Sequence, residues 1–150
     1  MKIQVTQENL KRALAAVSRV ADARGSLPVL ANILIKTDQN RLLLSATNLE
    51  IAITKRIGSK VEKPGAITVP ARLMNDFVAS LPSGTISLEA EERKLKISSG
   101  NYKSTINGMG TEEFPELPEL TGDNTLTIKS EELKTALNQT VFAASNDDSR

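Results

Sequence analysis

Carboxylates and basic side chains dominate the reactive groups of this sequence. Its 150 residues hold 19 Lys plus Arg, 18 Asp plus Glu, a single Tyr, and no His, Cys or Trp. A Cys/His zinc site, a thiol nucleophile and a Ser-His-Asp triad are therefore excluded. Acid–base chemistry would fall to Asp, Glu, Lys or Tyr102. The adjacent pairs Glu91-Glu92, Glu112-Glu113 and Asp147-Asp148 could in principle hold a hard cation. All sit in expected turns or connectors, where adjacent carboxylates are usually solvated charge. The eight glycines are scattered and form neither a Walker nor a dinucleotide loop. The residues thus give no catalytic site, no metal site and no cofactor.

The basic residues form a pattern. Lys11, Arg12, Arg19 and Arg24 lie on or just after a first amphipathic segment, Arg72 lies on a second, and Lys134 falls where a later segment repeats Lys11. Cations on exposed helix faces can follow a phosphate backbone without reading bases. Glu8 and Asp22 partly offset the cluster, and an aromatic content of 3% disfavours base stacking. The net charge of +1 decides nothing, because an average conceals a patch.

The elements that must position these residues follow from periodicity. Residues 2–5 alternate as a strand with Ile3 and Val5 on one face. Thr6 then caps a helix expected over 7–20, with Leu10, Ala13, Leu14, Val17 and Val20 as its apolar stripe. Strands are expected at about 30–37, 41–47 and 50–58, the first two joined at Asp38-Gln39-Asn40. Ala66–Val69 forms another strand, and Pro70 opens a second helix over 71–80 with Leu73, Phe77 and Leu81 available for burial. Three more strands are expected near 85–90, 93–98 and 101–107.

This layout repeats. Strand, helix and three antiparallel strands occur from Lys2 and again from Ala66, with Ile67-Thr68-Val69 placed 64 residues after Ile3-Gln4-Val5. A longer repeat has an offset of 123, from Ile3-Gln4-Val5 to Leu126-Thr127-Ile128. At that offset Glu131, Leu133, Lys134, Ala136 and Leu137 match Glu8, Leu10, Lys11, Ala13 and Leu14 identically. Between the copies, Thr111–Glu119 is acidic and contains Pro, as a connector would be. The expected organisation is a complete module over 1–120, then the strand and helix of a truncated second module over 121–150.

The segments MKIQVTQENLKRALAAVSRV, SLPVLANILIKT, LSATNLEIAI, PGAITVPARLMNDFVASLP and FPELP occur in this order along the chain. Together they resemble the bacterial DNA sliding clamp family, the β subunit of DNA polymerase III. The resemblance implies an α+β DNA-clamp fold: a duplicated β-α-β-β-β unit with antiparallel sheets outside and two helices on the inner face. It also implies a processivity factor without catalytic activity. Two subunits would close a homodimeric ring around double-stranded DNA, independent of sequence, and tether DNA polymerase III. The polymerase and the clamp loader would bind the full-length parent, whose partner-peptide groove lies outside this sequence. By resemblance Arg24 is the leading DNA contact and Arg150 falls at a basic position of the second domain, with Lys11, Arg12, Arg19 and Arg72 as further inner-surface charges. The resemblance places half of the subunit interface on Leu73 and Phe77 of the second helix and on Tyr102, Lys103, Ser104 and Ile106 of the last strand.

Two other readings compete: a module of the same fold that recruits proteins without encircling DNA, and a carboxylate-dependent hydrolase. No apolar run approaches the roughly 20 residues of a membrane helix, the first residues contain no signal-peptide core, and the absence of cysteine fits a reducing compartment. A cytoplasmic protein with no membrane partner is expected.

Overall fold

The computed structural model describes residues 1–21, 27–117 and 126–145. The chain divides into two compact units, Met1–Leu117 and Pro118–Arg150.

The first unit contains β1 (Lys2–Thr6), α1 (Gln7–Val17), a 3-10 turn at Pro28–Ala31, β2 (Asn32–Asp38), β3 (Arg41–Thr47), β4 (Ala52–Gly58), β5 (Lys60–Lys63), β6 (Ala66–Pro70), α2 (Ala71–Ser80), β7 (Thr85–Glu91), β8 (Lys94–Ser99) and β9 (Tyr102–Asn107). The strands form two antiparallel sheets, one in the order β5-β1-β7-β8-β9 (sheet A) and one in the order β4-β3-β2-β6 (sheet B).

The repeat seen in the sequence is intertwined in space. β1 leaves the β2-β3-β4 meander that follows it and pairs with β7, Ile3 opposite Leu88. β6 makes the reciprocal move and pairs with β2, Ile67 opposite Ile35. Neither half can complete its sheet without a strand from the other, so the duplicated unit has one core. That core draws Ile3, Leu88 and Ile97 from sheet A, Ile35, Leu44 and Ile67 from sheet B, and Leu10, Leu14, Met74 and Val78 from the helices. Burying each large aliphatic side chain stabilises the fold by about 1.5–3 kcal/mol relative to leaving it exposed.

Four details differ from expectation. α1 ends at Val17, and Val20 closes a turn by donating its N–H to the Val17 carbonyl at 3.2 Å. The buried stripe of α2 is Ala71, Met74 and Val78, extended by Leu81; Leu73 is 60% exposed and Phe77 only half-buried. β5 was not expected, since Val61 is its one apolar residue, and it forms because β1 offers a free edge to pair with. A 3-10 turn at Pro28–Ala31, its start fixed by Pro28, delays to Asn32 the strand expected from about 30.

After β9 the chain straps across the edge of β6. Met109 and Thr68 exchange main-chain hydrogen bonds of 2.9 and 3.1 Å, and the Thr68 hydroxyl donates to the Met109 carbonyl at 3.2 Å. Gly108 is required here, because a Cβ would lie 2.4 Å from the Thr68 carbonyl oxygen. The strap leads to Phe114, which is 7% exposed yet lies outside the main core cluster.

In the second unit, α3 (Ser130–Thr140) is followed by a 3-10 turn at Val141–Ala143. Leu126–Ile128 was expected to mirror β1, but 126–129 are not strand. A strand needs partners for its N–H and C=O groups; β1 has β5 and β7, and no described strand pairs with 126–129. Every residue of α3 is exposed.

Candidate nucleic-acid and subunit interfaces

α1 and α2 lie against one another. The buried Gln7 side chain fixes the contact, its Nε2 donating to the Val78 carbonyl at 3.0 Å, while its main-chain N–H donates to Gly84 at 2.8 Å. With Gln7, Leu10, Ala13, Leu14 and Val17 turned inward, helical spacing leaves Lys11 and Arg12 outside. Both are exposed; Arg12 donates to Asn9 Oδ1 at 3.2 Å, and Lys11 has no ion-pair partner among the described residues. Arg72 projects from α2 with its side chain 93% exposed, 3.8 Å from Asp76. A pair so long and so wet is a weak restraint. Arg19 is exposed in the turn after α1.

The structure thus brings Lys11, Arg12 and Arg72 to the exposed side of one helix pair, with Arg19 at its end. Lys134 is exposed on α3 in the second unit. Arg24 and Arg150 lie outside the described residues. Among the described residues no group of three or more metal-ligating side chains forms, and Asp147 and Asp148 also lie outside them.

The outer faces of the sheets are different. Lys2 pairs with Glu62 at 2.9 Å, Lys96 with Glu91 at 2.6 Å, and Arg56 with Asp38 at 3.3 Å. Across sheet A the register sets Lys2, Glu89 and Lys96 in a row of alternating charge. The hydrogen bond and charge of Lys2 hold the Glu62 carboxyl below its ordinary value, and Lys96 does the same to Glu91; both lysines are raised in return.

The four sheet edges also differ. An exposed edge strand invites pairing unless it is short, charged, interrupted by Pro, or carries a charge on its core-facing side. β5 has four residues, with Lys60, Glu62 and Lys63 among them. β6 ends in Pro70 and is bridged by the strap. β4 places Lys55 opposite Leu44, on the core-facing side. β9, Tyr102-Lys103-Ser104-Thr105-Ile106-Asn107, has six residues, no Pro and no charge on its core-facing side; its one charge, Lys103, lies on the outward side.

The candidate interface residues on β9 divide by alternation. Tyr102 and Lys103 are exposed, Ser104 is half-buried, and Ile106 is 7% exposed within the core cluster. Ile106 therefore offers a partner its main chain, not its side chain. On α2, Leu73 is an exposed apolar residue with no role in the core, while Phe77 packs partly against that core. Sequence reasoning had no access to the difference between edges, which depends on strand order.

A duplicated β-α-β-β-β module with a cationic helix pair and ion-paired outer sheets defines a class of clamp-like proteins, and comparison places the chain within it. A family model described as DNA polymerase III beta subunit, N-terminal domain, matches residues 1–118, and the chain belongs to that family. It is 36% identical to the beta sliding clamp of Synechococcus elongatus over its whole length, and covers 41% of that protein. The crystal structure of the DNA polymerase III subunit beta from Pseudomonas aeruginosa superimposes with a TM-score of 0.90 at 32% identity, covering 100% of this chain and 41% of the other. The DNA polymerase sliding clamp of Bacillus subtilis gives a TM-score of 0.93 at 26% identity, with 100% and 42% covered. The chain therefore spans about two fifths of the length of these relatives.

Proposed function

We propose that this chain contributes the first module of a sliding-clamp subunit that encircles duplex DNA and tethers the replicative polymerase in the cytoplasm. Residues 1–120 are the complete module on this reading, and 121–150 open a second. One observation carries it: the α1–α2 pair exposes Lys11, Arg12 and Arg72 with only a weak ion pair between them and the surrounding charge. Such a surface attracts phosphate without fixing a register, as sliding requires. Arg19, Arg24 and Arg150 by family resemblance, and Lys134 as the repeat of Lys11, would be further phosphate contacts of the parent.

The reading gives this chain no catalytic step. The parent's partners would be DNA polymerase III and the clamp loader, and its ring a homodimer. β9 would be the subunit edge, being long enough to pair and free of Pro, with Tyr102, Lys103 and Ser104 along it, the Ile106 main chain, and Leu73 with Phe77 of α2 as the further interface residues.

The test is retention of the full-length parent, loaded on closed circular DNA and on the same DNA linearised. The expected result is stable retention on the circle and loss from the linear form. Equal retention on both would overturn topological tethering and favour the protein-recruiting module.

A further inference from the structure

We infer that Lys55 is a further phosphate contact, extending the cationic helix face onto the edge of sheet B; the inference rests on the proposed function. In the sequence Lys55 sits in the polar run Thr54-Lys55-Arg56 and reads as one of two equivalent surface cations. The register separates them. Arg56 lies opposite Leu43, on the outer face, where Asp38 pairs with it at 3.3 Å. Lys55 lies opposite Leu44, whose side chain is fully buried, so Lys55 rises from the core-facing side of the strand.

Its neighbours in that row, Ile53 and Ile57, pack against the core, and α1 lies across β3 and β4 on this side. Lys55 is nevertheless exposed and has no ion-pair partner among the described residues. A lysine between two half-buried isoleucines can cover apolar surface with its methylenes and leave its ammonium in water. On the proposed function Lys55 would add to the cations exposed on α1 and α2, namely Lys11, Arg12 and Arg72. As an edge guard alone Lys55 would meet the requirement of blocking strand pairing; its unpaired state on the helix side gives it a second use.

Binding of the chain to a fluorescein-labelled duplex of arbitrary sequence, followed by anisotropy from low to moderate salt, tests this. Each lost phosphate contact lowers the slope of log K against log salt by about 0.9. Lys55→Ala and Arg12→Ala are each expected to lower the slope by about that amount, and Lys36→Ala, opposite Leu43 on the outer face of sheet B, to leave it unchanged. Lys55→Ala matching Lys36→Ala while Arg12→Ala lowers the slope would overturn the role of Lys55 and leave the DNA reading standing. No binding at any salt, or a slope that no helix-side variant changes, would overturn both. A melting curve for each variant confirms the fold, which exposed side chains are not expected to affect.

Discussion

On the outer faces of the sheets, charge is interleaved: Lys2 with Glu62, Lys96 with Glu91, Arg56 with Asp38. On the exposed side of the helix pair the ion pairing is looser, for Lys11 has no ion-pair partner among the described residues and Arg72 has only a distant one. The outer faces also carry cations such as Lys36 and Lys94 with no ion pair among the described residues, so the two surfaces differ in their close pairs, of 2.6–3.3 Å on the sheets against 3.8 Å on α2. The helices bury one stripe in the core, and on the proposed function the exposed side is left for contact with a polyanion.

The division can be broken at its structural side first. Leu14→Ala empties a fully buried site on α1 and should lower unfolding stability by about 2–5 kcal/mol, measured by urea denaturation. Leu73→Ala, at a position 60% exposed, should change it by less than about 0.5 kcal/mol. A large effect at Leu73 would mean that the exposed stripe of α2 also stabilises the module. Gly108→Ala should come next, at about 1–3 kcal/mol, because a Cβ 2.4 Å from the Thr68 carbonyl oxygen forces main chain to move. Chymotrypsin or hydrogen exchange should then find the strap after β9 loosened before the sheets.

The smallest effect is expected from the ion pairs of the outer faces. Glu62 and Glu91 have carboxyls held below the ordinary 4.5, so their contribution is present above that value and is lost as pH falls through the folded-state value. Lys2 and Lys96, raised above 10.5, contribute below that value and lose it as pH rises through theirs. All four groups are solvent-screened, so added salt should flatten this pH dependence. A steep, salt-resistant loss of stability just below pH 4.5 in the wild type, removed by Glu62→Gln with Glu91→Gln, would show that these pairs are more than surface charge balance.

Much of the architecture was legible from the sequence. The bounds of α2 agree to the residue because Pro70 starts it and Leu81-Pro82 stops it. The 64-residue half-repeat was visible because both copies alternate and then switch to helical spacing. What the sequence could not supply was the pairing between elements. β5 exists only because β1 has a vacant edge, and 126–129 stays irregular for want of one. Leu73 and Phe77 fit a helical spacing, yet Ala71, Met74 and Val78 take the core side. Lys55 and Arg56 are neighbours that only strand register assigns to opposite faces. Among the DNA-contact candidates, the exposure of Lys11, Arg12, Arg19 and Arg72 was legible, because a cation off an apolar stripe needs no tertiary information to be placed outside.

The asymmetry itself is tested most directly by two charge reversals of equal size on opposite surfaces. Lys11→Glu with Arg12→Glu and Lys2→Glu with Lys96→Glu each change the net charge by the same amount. With duplex DNA at low salt, the helix-face double variant should lose at least about tenfold in affinity, and the sheet-face variant no more than about twofold. Equal losses would mean that net charge alone governs binding and would contradict the division of the two surfaces.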